Sequence, residues 1–457
     1  MNTRKIRIVE WETIAADGAF LAIVITALGT LGDFGVQVLL AQSVSVAWYG
    51  DYSIAFAALM LGGIVAILGS DRTCMRFLPT YIEKGDAARI SGFCLLYAGL
   101  ALGVALAIVA IVAAVHYVLD TEGISFFDTR KGHPVLFAVW LIPFYAIYRL
   151  TPGVLSAAQR PLYATFNTRL GVPAVTAAAI VLIPLFGYKI TPEAMLAAFA
   201  LSYLLVSAAS VALLPQDVSV WCRHRIYHPR LWLGISLPIM AGAFVWKLNG
   251  YSGTLMLEVI GKNEAQVGLF SAATNAGALA LIPLAALTAT ILPRLGPIAQ
   301  GAENHEKRQA LYGRATRQLT LFTLIVAVPI LLFREQVLGL FGSDYKTAGM
   351  VLAIVATTFL VTGAIGIATP FLQFCGFEKL ILGVTVGSTL LDVVLCTFLV
   401  PRFEATGAAT SFLIRGFLAD GIAVYVLWRY QGLVPYLSRV PVWLTRRSSD
   451  EAARDRS

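Results

Sequence analysis

The stretch Asp33–Gly85, DFGVQVLLAQSVSVAWYGDYSIAFAALMLGGIVAILGSDRTCMRFLPTYIEKG, decides how the chain is read. An apolar segment runs to Trp48-Tyr49-Gly50, where a short turn is expected. Tyr52-Ser53-Ile54-Ala55 then opens a second apolar segment that closes on Arg72 and Arg76. Phe77-Leu78-Pro79 lead on into the polar run Glu83-Lys84-Gly85-Asp86. The pattern returns at Gln266-Val267-Gly268-Leu269-Phe270-Ser271 and closes on Leu292-Pro293-Arg294-Leu295. Gly50 and Gly268 are 218 residues apart, as are Arg76 and Arg294, and Leu155-Ser156-Ala157 precedes Leu372-Gln373-Phe374 by 217. Landmarks that recur at one offset predict a duplicated half-chain of about 215 residues.

Composition places the duplication in a membrane. The chain has 457 residues, 58% of them hydrophobic and 13% charged, and a mean hydropathy of +0.77. A soluble domain carries roughly 25% charged residues. A bilayer span needs about 20 apolar residues, and twelve such runs can be marked, near 18–44, 52–80, 90–118, 134–158, 162–186, 192–214, 232–259, 265–293, 315–333, 347–374, 379–400 and 405–428. The fold class is therefore an all-α polytopic membrane protein of two six-helix halves. The basic residues before the first span, Arg4, Lys5 and Arg7, resemble a signal peptide's start, but no small-residue cleavage site follows, and an uncleaved first span is expected.

The net charge of +8 does not point to nucleic acid, because the basic residues gather in short segments between spans. With the N-terminus cytoplasmic, 24 Lys and Arg fall in inside segments (Arg169 counted among them) and 7 fall outside. By the positive-inside rule both termini are expected in the cytoplasm. The expected division is an N-terminal lobe over 1–214, a cytoplasmic linker over 215–230, a C-terminal lobe over 231–430 and a cytoplasmic tail over 431–457. Cys74, Cys94, Cys222, Cys375 and Cys396 form no CxxC pair, and free thiols without a metal site are expected. No motif calls for a cofactor.

Three basic residues lie inside spans: Arg149 in the fourth, Lys247 in the seventh and Arg415 in the twelfth. A charge at the bilayer centre costs roughly 2.5–3.5 kcal/mol on insertion scales, so such residues face a cavity or a partner. A cavity lined by Arg149, Lys247 and Arg415 would suit a phosphate, to which Arg offers a planar fork and Lys a point charge. Asp392 on the eleventh span is a candidate ion-pair partner for Arg415, while no partner is evident for Arg149 or Lys247. Asp33, between Gly32 and Gly35, is the candidate for a protonatable coupling group, and a structural role is expected for Asp420. Tyr145 and Tyr148 flank Arg149 and are candidates for sugar contact or packing.

These residues resemble a known family. Trp48-Tyr49-Gly50-Asp51-Tyr52-Ser53 with Arg76-Phe77-Leu78-Pro79 is similar to the first two spans of bacterial polysaccharide (O-antigen type) flippases. Val267-Gly268-Leu269-Phe270-Ser271-Ala272-Ala273, Phe341-Gly342-Ser343-Asp344-Tyr345, Leu372-Gln373 with Gly376, and Gly407-Ala408-Ala409 fit the same resemblance. It implies membership of the multidrug, oligosaccharidyl-lipid and polysaccharide exporter superfamily, with a V-shaped pair of six-helix lobes. It further implies a non-enzymatic transporter of the inner membrane that flips an undecaprenyl-pyrophosphate-linked oligosaccharide to the periplasmic leaflet for lipopolysaccharide or exopolysaccharide synthesis. The implied partners are the lipid-linked oligosaccharide, membrane lipids and glycan-assembly proteins. One departure stands out: many relatives carry an Asp near Asn249–Thr254, where this chain reads Asn-Gly-Tyr-Ser-Gly-Thr.

The nearest alternative is a cation-coupled drug or small-molecule exporter on the same architecture, which would favour an acidic cavity. An integral-membrane glycan polymerase or ligase would need a large external loop, and the longest outside loop, Leu119–His133, has about fifteen residues. A membrane scaffold is the remaining class.

Overall fold

The computed structural model describes residues 2–121, 134–187, 191–215, 224–261, 263–295 and 305–437. Residues 122–133 of the expected outside loop Leu119–His133, half of the 215–230 linker (216–223, with Cys222) and the tail beyond 437 lie outside the described residues. Every regular element among the described residues is a helix.

The first span is α1 (Asn2–Ser43). The second is α2 (Val46–Ala66) followed by α3 (Ser70–Glu83), and the third is α4 (Ala87–Thr121). The fourth divides into α5 (Pro134–Trp140) and α6 (Ile142–Ala157). The fifth joins α7 (Pro161–Phe166) to α8 (Val172–Leu185) through one π-helical turn, Asn167–Gly171. The sixth is α9 (Pro192–Ala212), and the seventh is α10 (Pro229–Met256) with a π-turn, Leu257–Gly261. The eighth runs from α11 (Glu264–Gly277) into α12 (Ile282–Leu295), and the ninth is α13 (His305–Leu332). A short α14 (Arg334–Gly339) precedes the tenth, α15 (Gly349–Ile365) with α16 (Ala368–Phe374). The last two share one continuous assignment, α17 (Glu378–Gln431), broken at Glu404, whose φ of 49° and ψ of −130° are not helical. Nine helices among the described residues are long and apolar enough to cross a membrane by themselves, and the 54-residue α17 is two antiparallel spans counted as one. The broken fourth span and the sixth make up the twelve.

Helix boundaries follow local chemistry. The turn expected after Gly50 lies earlier. Ser45 has extended backbone and its hydroxyl accepts the Trp48 N–H, so it caps α2 and draws Trp48-Tyr49-Gly50 into the first turn of the helix. The second span breaks where Leu68 and Gly69 both take left-handed φ, 52° and 72°. That break starts α3 on Ser70 and puts Asp71 in its first turn, where the helix dipole favours an acid.

Contacts divide the chain into two compact units, Phe20–Tyr251 and Ser252–Ser457 together with Met1–Ala19. Most of α10, up to Tyr251, belongs to the former, where Trp232 is fully buried among Cys74, Leu78, Ile90, Phe93 and Tyr97. The Trp232 indole N–H also donates to the Tyr81 hydroxyl at 3.3 Å. In the other unit Tyr312, Leu319, Phe371, Leu372, Leu427 and Leu433 form a core cluster.

Each unit closes in the same way. In the Phe20–Tyr251 unit the extended residues before α10 cross the start of α4: Ile226 N–H bonds Ala88 O at 3.1 Å, and the Ile226 backbone lies directly on Gly92. In the other, the residues after α17 cross the start of α13. The Gln309 amide donates to Val434 O and Leu437 O and accepts from Val434 N–H, while the Leu437 backbone lies directly on Gly313. Neither glycine has room for a Cβ. Gly92→Ala and Gly313→Ala should each lower stability by about 1–3 kcal/mol through overpacking, read as a lower unfolding temperature of the solubilised protein. Gly234→Ala, whose Cβ meets nothing within 4 Å, should not. Equal behaviour of all three variants would contradict the closing contacts.

Candidate functional site

The Phe20–Tyr251 unit gathers charge inside its spans. Arg149 on α6 reaches Asp71 on α3, Nη2 to Oδ2 2.5 Å, across 78 residues of sequence. The approach is set one turn further along α6, where Gly153 faces Cys74 Sγ and the Asp71 carbonyl, leaving no bulk between the helices. The Arg149 side chain stays 40% exposed against 18% for Asp71. Its Nε is buried and has no hydrogen-bond partner among the described residues. Nη2 is thus used on Asp71 and the Nε donor is left over.

Lys247 on α10 is half-buried, with Nζ 5.1 Å from the Tyr251 ring centroid in a cation–π contact. It lies within electrostatic reach of Arg149 and of a third cation, Arg169. Arg169 sits in the π-turn of the fifth span and is exposed. A π-turn inserts an extra residue into a helix and is frequent at functional sites. Here it is anchored by Asn167, buried and donating to Ser210 Oγ at 3.1 Å. The Arg169 backbone packs on Gly29 of α1, again with no room for a Cβ, and one turn along α1 is Asp33, on which the Arg169 charge acts. Asp33 is exposed. The cluster therefore sets three cations, Arg149, Arg169 and Lys247, against two carboxylates, Asp33 and Asp71.

Tyr145 and Tyr148 are 6% and 8% exposed and form an aromatic stack behind Arg149. Tyr148 lies over Tyr203 with centroids 4.8 Å apart, and Tyr145 meets Tyr203 edge-on at 5.3 Å. Their surface is spent on one another.

Arg415 stands in the other unit. Its Nη1 is 3.8 Å from Asp392 Oδ2, with the two side chains 5% and 1% exposed. Ser252 donates to Asp392 Oδ2 and accepts from Arg415 at 3.2 Å, Ser411 donates to Asp392 Oδ1 at 2.6 Å, and the Arg415 guanidinium lies 4.6 Å from the Phe412 ring centroid. The guanidinium is held on several sides. In the region where the resemblance leads one to expect an Asp on the seventh span, Ser252 takes part in this network through its hydroxyl.

Two members of the Arg149 cluster escape a reading of sequence alone. Asp71 follows an unforeseen helix break, so nothing local ties it to Arg149. Arg169 carries a usable signal, since it lies seven residues inside the apolar run 162–186, yet it is easily tallied with the loop charges.

No protein-family model matches the sequence, and no curated protein does. Solved structures do. An inward-facing multidrug resistance MATE family transporter of the MOP superfamily matches with a TM-score of 0.71 at 18% identity, over 94% of this chain and 98% of that one. The lipid II flippase MurJ in an inward closed conformation matches with 0.66 at 13%, over 94% and 90%. A MOP superfamily transporter from Pyrococcus furiosus, described as having a binding pocket of reversed polarity, matches with 0.62 at 15%, over 94% and 95%. At these identities the likeness shows the fold, which is that of MOP superfamily transporters.

The buried pair in the Ser252–Ser457 unit gives a stability test. Asp392→Ala removes the carboxylate that compensates Arg415 and should cost about 3–5 kcal/mol, whereas the double change Asp392→Leu with Arg415→Met should recover most of it. Thermal unfolding of the purified variants reads both. A single variant as stable as the parent would contradict the pairing.

Proposed function

We propose that this chain is a membrane transporter that flips an undecaprenyl-pyrophosphate-linked oligosaccharide from the cytoplasmic to the periplasmic leaflet by alternating access, for lipopolysaccharide or exopolysaccharide synthesis. The observation that carries the reading is the excess of cations in the Phe20–Tyr251 unit: Arg149, Arg169 and Lys247 against Asp33 and Asp71, with Arg149 Nε left without a partner among the described residues. A pyrophosphate brings negative charge that cannot enter hydrocarbon uncompensated. Donors on a guanidinium fork and a mobile ammonium supply that compensation, and the Asp71 contact keeps Arg149 oriented. Asp33 is the internal competitor for Arg169 and the coupling candidate of this unit. Arg415 is assigned to the Asp392 network.

The fold shared with MurJ, a flippase of a lipid, supports a lipid-linked substrate, and the fold shared with a MATE multidrug transporter supports the drug-exporter alternative. The sign of the cluster favours the former, because an organic cation would meet three like charges. The reading includes inner-membrane residence with both termini cytoplasmic, from the distribution of Lys and Arg. It also includes two six-helix lobes joined at 215–230 and contact with glycan-assembly proteins.

The test is complementation in a bacterium lacking its own flippase, with membrane abundance measured in parallel. Losing a hydrogen bond to a charged group costs about 1.5–3 kcal/mol, so Arg149→Ala, Arg169→Ala or Lys247→Ala should reduce surface polysaccharide about tenfold or more at unchanged abundance. Arg149→Lys should retain part of the activity. Three abundant alanine variants with normal polysaccharide would overturn the reading.

A further inference from the structure

Asp420 lies in the second half of α17, eleven residues before its end at Gln431. That helix end carries Trp428, Arg429 and Tyr430, and Asp420 lies eight residues inside the apolar run 405–428, about 12 Å along a helix axis and within a hydrocarbon core about 30 Å thick. Its Oδ2 accepts one hydrogen bond, from Thr362 Oγ1 at 2.8 Å. Among the described residues no cation stands within ion-pair distance of it. In this Asp420 differs from the other acids described above: Asp71 has Arg149, Asp392 has Arg415 with two serines, and Asp33 has the charge of Arg169.

Among the described residues the surroundings offer no substitute. The elements packed most closely against α17 are α11, α15, α16 and the π-turn Leu257–Gly261. Of the others that reach it, α10 meets it at Ser252, α12 at Ile291, and α13 at Tyr312 and through His305 and Arg308, which both bond Gln431 eleven residues beyond Asp420, while Arg314 and Arg317 of α13 are exposed. Neither α15 nor α16 carries a titratable side chain, α11 carries only Glu264 in its first turn, and the π-turn carries only Glu258. The segment after α17 brings Tyr436. On α17 itself Arg415 is five residues away, about 140° round the helix, and is engaged by Asp392. Cys396 belongs to the Asp392 neighbourhood, Tyr425 is exposed, and Arg429 and Tyr430 lie more than two turns on. Glu378, Lys379, Arg402 and Glu404 stand near the ends of the paired spans.

The partner of Asp420 is placed beside a helix break. Thr362 lies in the last turn of α15, immediately before the break at Gly366 and Ile367 that separates α15 from α16. Two residues on, the Ala364 carbonyl accepts the Tyr436 hydroxyl at 2.9 Å. The end of α15 is thus tied at two points, by Asp420 through Thr362 and by the C-terminal segment through Tyr436.

We propose that Asp420 is a proton-binding site inside the twelfth span, whose occupancy is sensed by Thr362 at the break of the tenth. A proton is the smallest cation able to compensate a carboxylate that has none. It adds to one carboxylate oxygen from water and leaves to water, with no other bond made or broken. Ionised, Asp420 only accepts, and Thr362 must donate to it. Protonated, Asp420 is a donor as well, and the Thr362 hydroxyl is released to turn elsewhere on α15. Proton binding is separate from the identity of the transported molecule, so the test uses no substrate.

Infrared difference spectra of the full chain reconstituted in lipid, on steps between about pH 5 and about pH 9, bracket the range over which buried carboxyl groups titrate. The wild type should show the carbonyl band of a protonated carboxylic acid, and Asp420→Asn should lack that component. Thr362→Val, which keeps the carboxyl and removes its one donor, should keep the band at a shifted frequency. No pH-dependent carboxyl band in the wild type, the same band in Asp420→Asn, or an unshifted band in Thr362→Val would each overturn the proposal.

Discussion

An ion inside a bilayer has to find its compensation within the protein, and the internal organisation of both units follows from that constraint. Moving a charged side chain to the hydrocarbon centre is costly, and removing one member of a buried pair leaves the other uncompensated. Arg415 meets the constraint with a carboxylate, the Ser252 hydroxyl and an aromatic face, and Ser411 in turn donates to that carboxylate, all with little exposure. Arg149 meets it with Asp71 but remains open on one side, and Lys247 meets it with the face of Tyr251. The difference between a satisfied cation and a partly satisfied one separates a structural network from a candidate binding site.

The backbone irregularities serve the same end. The left-handed Leu68-Gly69 break turns Asp71 toward Arg149, the π-turn in the fifth span carries Arg169, and the break after α15 lies beside the Thr362–Asp420 contact. Continuous helices would have to carry these polar groups on regular faces. Broken ones free individual positions, and the released backbone groups are taken up by neighbouring side chains and local turns. The Tyr436 hydroxyl on the Ala364 carbonyl is one such replacement.

Much of the architecture was legible in the sequence because hydrocarbon imposes one strong signal. Long apolar runs such as 90–118 can only be satisfied as helices, and α4 spans that run. The hairpin between the eleventh and twelfth spans was legible too, since Asp392 and Arg415 lie at like depths on either side of Arg402–Glu404. The breaks were not. Leu68 and Glu404 take positive φ without being glycine, a conformation imposed by tertiary packing that no local propensity announces. The Arg149–Asp71 pair was hidden for the same reason, and Arg169 was hidden by an apolar run whose edge cannot be fixed to within a turn. The Gly92 and Gly313 closures lacked a sequence signal of their own, because what excludes a Cβ there is a distant backbone segment.

Two substrate classes of opposite charge remain attached to one fold, and the cation excess around Arg149, Arg169 and Lys247 is what separates them. The most direct measurement is competitive binding to the purified protein in lipid nanodiscs, with undecaprenyl pyrophosphate, undecaprenol and the organic cation tetraphenylphosphonium as probes. The account predicts that the pyrophosphate lipid binds well ahead of undecaprenol, that tetraphenylphosphonium does not displace it, and that Lys247→Ala removes most of the difference between the two lipids. Preferential binding of tetraphenylphosphonium, with the two lipids indistinguishable, would contradict it.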